Sequence, residues 1–143
     1  MATFADRYNL GPGISTSPKI FGYFMVIAGL FFAYVYMFNP GLAFPGIEIK
    51  TVSEQFGLYS TGVRVIGSVV GILLALVLDC AVMLIIMLAT RVVIELGDVI
   101  VGLVIHGGAV DANTFSLTVL AAIEVFFMVK LVKSLTRVTS PRT

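Results

Sequence analysis

The chain has 143 residues, of which 59% are hydrophobic and 12% are charged, and its net charge is +1. A mean hydropathy of +1.07 excludes an ordinary water-soluble domain, which would need far more polar surface at this length. The nearly balanced charge argues against a nucleic-acid partner, and a single cysteine, Cys80, excludes an internal disulfide. The composition therefore predicts a small, single-domain integral membrane protein.

The first element is a polar arm followed by a long apolar helix. Residues 1–18 are rich in Gly, Pro, Ser and Thr, which predicts an arm at the membrane surface. Residues 19–38 form the first predicted span, ended by Asn39-Pro40-Gly41. A signal peptide is the alternative, but its apolar core would cover only about 7–15 residues. The longer, aromatic run here favours a retained helix.

The second and third predicted helices must be separated by a turn. Thr51 and Glu54 form a T-x-x-E capping box, which predicts a helix over about 53–78. If this helix continued to Ile105 it would be about 80 Å long, more than a bilayer accommodates. We therefore expect a reversal near Asp79, which can cap a third span over about 80–105.

The last predicted span covers about 114–135 and completes a membrane domain of residues 19–136, with a basic tail at 137–143. His106-Gly107-Gly108 ends the third span, and Asp111, Asn113 or Thr114 can cap the fourth. With four spans, both termini lie on one side of the membrane. The residues whose positive charge makes that side cytoplasmic are Arg7, Lys19, Lys130, Lys133, Arg137 and Arg142. The predicted fold is all-α: an antiparallel four-helix transmembrane bundle with short loops.

Charged residues inside the predicted spans are the unusual feature of the sequence. On a helix, Glu95 and Asp98 lie about 40° and 20° from Arg91, so all three share one narrow face. Three central charges cost about 8–10 kcal/mol, while the fifteen Leu, Ile and Val residues of this helix contribute about −5 to −9 kcal/mol. The free energy of inserting this helix alone into a membrane is therefore close to zero, so the helix needs polar partners within the bundle.

The second helix can supply such a partner through Arg64. Its face carries small residues that let another helix approach, including a G-x-x-x-G step; these are Gly57, Ser60, Gly67, Ser68 and Gly71. We expect Arg64 to reach Glu95 or Asp98, and Arg91 to pair with the same carboxylates or with Glu124. The residues expected to donate further hydrogen bonds are Tyr23, Tyr34 and Tyr59.

Two arginines face three carboxyls in this set, which leaves one carboxyl unmatched. Glu124 is the candidate, because leucine, alanine and methionine side chains line its helix face. An unmatched carboxyl takes up a proton or binds a cation or a positive group of a substrate. The alternative is that the ion pairs are structural and only fix helix register. No metal or cofactor is expected, because Glu95 and Asp98 have no nearby histidines and His106 reads as an interfacial loop residue.

Several segments resemble a known group of small bacterial membrane proteins. These are FNPGLAFPGIEI, FGLYSTGVRVIGSVVGILLAL and ATRVVIELGDVIVGLVIHG, with the Tyr59-to-Arg64 step and the Arg91, Glu95, Gly97-Asp98 stripe. Over about residues 20–130 the chain resembles the DoxX-like families, in particular the uncharacterised family called domain of unknown function 4345. The resemblance implies a four-helix bundle in the bacterial inner membrane. Some relatives look like accessory subunits of membrane oxidoreductases, but this chain shows no cofactor ligands.

Three functions are compatible with these features. The first is a polar-centred pocket that binds or passes a small solute or a proton, with the arginines facing anions and the carboxyls facing protons or cations. Four helices are few for a transporter, so this function favours a homo-oligomer. The second is an accessory or scaffold subunit that binds a membrane protein partner. The third is a membrane-embedded acid–base enzyme that acts on a lipophilic substrate. The lack of a recognisable nucleophile or metal site in the sequence argues against this third function.

Overall fold

The computed structural model describes residues 13–42, 50–105, 107–110 and 112–139, and all regular structure in these ranges is helical. The helices are α1 (Thr16–Phe38), a short 3-10 turn (Pro40–Leu42), α2 (Val52–Val77), α3 (Ala81–Ile105) and α4 (Ala112–Thr139). The predicted all-α class with four long helices is confirmed. The predictions for His106, for Asp111 as a cap, and for most of the arm and the tail lie outside the described residues.

Helix α1 begins three residues before the predicted start. Ser15 is extended, with a ψ of 154°, and Thr16–Pro18, predicted as part of the arm, form the first helical turn. Pro18 is tolerated there because the first backbone N–H groups of a helix have no partner within the helix. The sequence pattern missed this start because the turn is polar.

Helix α2 begins at the predicted capping box. The Glu54 backbone N–H donates to Thr51 Oγ1 at 3.2 Å, and the Thr51 N–H donates to Glu54 Oε2 at 3.0 Å. Both bonds satisfy donors that the helix leaves free at its first turn. The capping-box prediction is confirmed.

The turn between α2 and α3 falls at Asp79, where the sequence predicts a break between the helices. Asp79 has a φ of +51°, a left-handed conformation that aspartate tolerates better than most residues. Its Oδ1 accepts hydrogen bonds from the Ile14 backbone N–H at 3.1 Å and from Lys19 Nζ at 3.0 Å. The carboxylate therefore ties the start of α1 to the α2–α3 turn, where the sequence predicted a cap for α3.

Three of the four helices are long and apolar enough to cross a membrane: α1, α2 and the Thr114–Thr136 part of α4. Helix α3 differs because every stretch of 18 residues within it contains Arg91, Glu95 and Asp98. The charged stripe predicted from the sequence is thus the physical reason that α3 is not among these three helices. Its partners inside the fold are described below.

The helices pack as two pairs, α1 with α2 and α3 with α4, and the pairs meet mainly through α2 and α3. The rings of Phe21 and Phe127 also stack at 4.3 Å between centroids, which joins α1 to α4. Glycines allow the close approach of α1 and α2, because a Cβ would meet a neighbouring side chain. The contacts are Gly22 with Leu76, Gly29 with Val69, and Gly62 with Met37.

The predicted small-residue step on α2 is used only in part. Gly71 lies against the Met87 side chain of α3, whereas a Cβ at Gly67 would have no heavy atom of a neighbouring residue within 4 Å. Backbone-to-backbone approach at this step is therefore not what joins α2 to α3. The glycines that lie against a neighbouring helix also include those between α1 and α2, which the sequence did not single out.

The apolar core is concentrated near the α2–α3 turn and the start of α1. Its most deeply buried side chains include Ile72 and Leu76 of α2, Leu84 and Leu88 of α3, and Leu131 of α4. Apart from the Lys19–Asp79 pair at the turn, the ion pairs between helices lie farther along the bundle. The packed core therefore lies between the turn and these ion pairs.

Candidate functional site

A cavity of about 290 Å³ lies between the four helices, beyond the packed core. Each helix contributes to its wall. The polar side chains that line it are Tyr36 of α1, Thr61, Arg64 and Ser68 of α2, Arg91, Glu95 and Asp98 of α3, and Ser116 of α4. The rest of the wall is apolar, so charge is confined to one part of it.

Arg91 lies at the centre of a buried cluster that joins α3 to α4. Its Nε donates to Glu124 Oε1 at 2.6 Å, and its Nη2 donates to Glu95 Oε1 one turn along α3. The Glu124 side chain is 0% exposed and the Glu95 side chain is 5% exposed. Charged groups this deeply buried need such partners, because an unpaired charge in a low-dielectric interior is very costly.

Arg64 and Asp98 form a second pair, between α2 and α3. Arg64 Nη2 lies 3.4 Å from both carboxylate oxygens of Asp98, and the two side chains are 46% and 39% exposed. These contacts are longer than the bonds around Arg91 and weaker for that reason. The pair lies farther from the α2–α3 turn than Arg91 does and forms the more open part of the cavity wall.

The structure changes one prediction about the carboxyls. Glu124 was expected to be the unmatched group, but its carboxylate is bound by Arg91. The reason is that its helix face, read as apolar from α4 alone, turns towards the charged stripe of α3. The excess charge is shared within the cluster, because Arg91 serves two carboxyls while Arg64 serves Asp98.

The predicted tyrosines do not line the cavity, and one that was not singled out does. Tyr34 is exposed and its ring lies beside Phe38, while the exposed Tyr59 accepts a hydrogen bond from Gln55 at 3.0 Å. Tyr23 is also exposed. Tyr36 lines the cavity instead. A signal for it was present, since Met25, Gly29, Phe32 and Tyr36 recur at helical spacing on one face of α1.

Two carboxylate oxygens of the site have no hydrogen-bond donor. Within the described part of the chain, Glu95 Oε2 and Glu124 Oε2 are the buried side-chain oxygens that lack a partner. Buried polar atoms are nearly always hydrogen-bonded, so such exceptions often mark a functional position. Glu95 belongs to the cavity wall and Glu124 lies outside it, behind Arg91.

The arrangement can therefore hold a small molecule by combining apolar contact with one or two directed polar contacts. This combination is typical of ligand pockets. Among the described residues, no group of three or more His, Cys, Asp or Glu side chains is placed to hold a metal ion.

No family model, no curated protein and no solved structure matches the chain.

Proposed function

We propose that the chain is a multi-pass protein of the bacterial inner membrane, folded as an antiparallel four-helix bundle with both termini cytoplasmic. The contacts between α1 and α2 support this topology, because residues early in α1 meet residues late in α2 and the reverse. The ion pair between Lys19 and Asp79 joins the start of α1 to the α2–α3 turn, which supports the proposal that this turn and the positive residues near both termini share the cytoplasmic side. Membership of the DoxX-like families, in particular domain of unknown function 4345, is part of this proposal and is supported by the segments quoted above.

Helix α3 is the fourth span of the proposed bundle. Its charges have partners within the fold, because Arg91 is paired with Glu95 and with Glu124 of α4, and Asp98 is paired with Arg64 of α2. Arg91 lies ten residues after Ala81, about 15 Å along the helix, which is near the middle of a hydrocarbon layer about 30 Å thick. Ionisable residues at this depth face a bundle interior and are functional candidates.

The function that the geometry supports best is the binding of a small solute in the cavity. The observation that carries this proposal is the buried Glu95 side chain in the cavity wall, with one carboxylate oxygen that no described residue satisfies. Passage of a solute or proton has less support, because the packed core lies between the cavity and the α2–α3 turn. A binding pocket closed at one end is compatible with a carrier, a sensor, or a subunit that passes its ligand to a neighbour within the plane of the membrane.

The second candidate is an accessory subunit whose ion pairs are structural. It is favoured by one observation: the Arg64–Asp98 and Arg91–Glu124 pairs each join two different helices. Such pairs can fix helix register without any chemistry. A stable partner protein would then bind the outside of the bundle.

A stability screen distinguishes the two candidates. The purified protein is heated with a set of small molecules, alongside the variant Ala28→Phe, which places a ring in the cavity wall, and the control Ile27→Phe on the exposed face. A ligand present at about 100 times its Kd stabilises the fold by about 2.7 kcal/mol. We expect ligands that raise the melting temperature of the native protein and of Ile27→Phe, but not of Ala28→Phe. Compounds that stabilise all three proteins equally, or none, would contradict binding in the cavity.

A further inference from the structure

The charge around Arg91 indicates which kind of ligand the cavity takes. One guanidinium faces two carboxylates, so the cluster carries one excess negative charge when all three groups are ionised. The other arginine at the site, Arg64, is paired with its own carboxylate, Asp98. The excess charge is therefore neutralised either by a proton or by a cationic group that enters the cavity.

The unsatisfied oxygen of Glu95 indicates where such a group would lie. Oε1 of this carboxylate accepts from Arg91, while Oε2 is buried with no donor among the described residues. A carboxylate oxygen only accepts hydrogen bonds, so its missing partner must be a donor. A donor that also carries positive charge would satisfy the oxygen and the charge balance together.

The apolar part of the cavity indicates the body of the ligand. Phe24, Phe32 and Tyr36 line the wall together with aliphatic side chains. Aromatic rings attract cations through their faces and pack against apolar groups. An anionic ligand would find both guanidiniums already bound to carboxylates.

The volume of the cavity limits the size of the ligand. A cavity of about 150 Å³ lined by apolar side chains holds one benzene molecule. The cavity here measures about 290 Å³, which leaves room for one ring with a short chain and a head group.

We propose that the ligand is a small lipophilic ammonium, whose charged head pairs with the Glu95 carboxylate and whose apolar body lies among Phe24, Phe32 and Tyr36. This inference rests on the proposed binding function and specifies its ligand class. It competes with neutralisation by a proton held between Glu95 and Glu124, which would leave no preference for a cationic ligand.

Three probes of one shape test the ligand class on the native protein. They are 2-phenylethylammonium, neutral 2-phenylethanol and anionic 3-phenylpropionate, measured by equilibrium dialysis against the protein in lipid nanodiscs, with empty nanodiscs as the baseline. A charged hydrogen bond to a buried carboxylate predicts that the ammonium binds about tenfold or more tightly than the alcohol. The anion should bind most weakly. Equal binding of the three probes would overturn the inference without any variant.

Two variants then assign the preference to Glu95. Glu95→Gln should lower the affinity for the ammonium by about tenfold or more and leave that for the alcohol within twofold. The matched control is Glu54→Gln, which removes the same charge from an exposed capping box and should change neither affinity. Unchanged ammonium binding in Glu95→Gln would overturn the inference.

The variant Ala28→Phe separates failure of this inference from failure of the proposed function. If the probes bind equally well to the native protein and all are lost in Ala28→Phe, the cavity binds solutes but the ligand class is wrong. If no probe shows binding that Ala28→Phe removes, both the inference and the proposed function fail for this class of solute.

Discussion

Replacing Arg91 with methionine should be the most destabilising single change in the polar cluster. Met fills similar space but removes the cation that holds Glu95 and Glu124, whose side chains are 5% and 0% exposed. Removing one partner of a buried ion pair costs about 3–5 kcal/mol, because it leaves an uncompensated buried charge. Here two carboxyls lose their partner at once. The loss would be a large share of a typical unfolding free energy of about 5–15 kcal/mol.

The assay is unfolding by sodium dodecyl sulfate in mixed micelles, followed by circular dichroism. The control is Arg64→Met, which breaks a longer and half-exposed pair and should cost about 0–1 kcal/mol. Adding Glu124→Leu to Arg91→Met should recover part of the loss, since an apolar pair often replaces a buried ion pair at little cost. A loss below about 1 kcal/mol, or equal losses in Arg91→Met and Arg64→Met, would refute the assignment of Arg91 as the essential partner.

Three further outcomes are expected in the same unfolding assay. Gly29→Val should lower the free energy of unfolding by about 1–3 kcal/mol, because its Cβ would collide with α2. Gly97→Ala, which has open space beside it, should raise the free energy of unfolding by about 0.5–1 kcal/mol. Equal effects of the two variants would contradict the close contact between α1 and α2. Asp79→Ala should cost about 1–3 kcal/mol by removing the tie to α1 at a left-handed residue, and Asp79→Asn should cost less. Arg64→Met combined with Asp98→Leu should fold; a variant that folds and still binds solutes would show that this pair is structural.

The helices could be predicted because their signals are local. The capping box at Thr51 fixed the start of α2, and the length of a bilayer required the reversal that the structure places at Asp79. The start of α1 was missed because its first turn is polar and contains Pro18. Polar first turns carry capping information but no apolar periodicity.

The sequence predicts which residues of the site share one face of a helix, but not which residues of different helices pair with each other. The common face of Arg91, Glu95 and Asp98 follows from helical spacing within one segment. Which arginine binds which carboxylate does not, because it depends on how far α2 and α4 are shifted along α3. For the same reason the sequence alone predicts that Glu124 is unmatched, and it does not predict that Tyr36 lines the cavity.

The bond between Arg91 and Glu124 also bears on how the chain would enter a membrane during synthesis. In the proposed topology, α3 leaves the ribosome before α4, and at that moment Arg91 has Glu95 one turn away but does not yet have Glu124. The partner that completes its burial arrives with the next helix. Insertion of α3 and α4 together as a hairpin, with α3 retained at the translocon until α4 has been made, is the order of assembly that this bond favours.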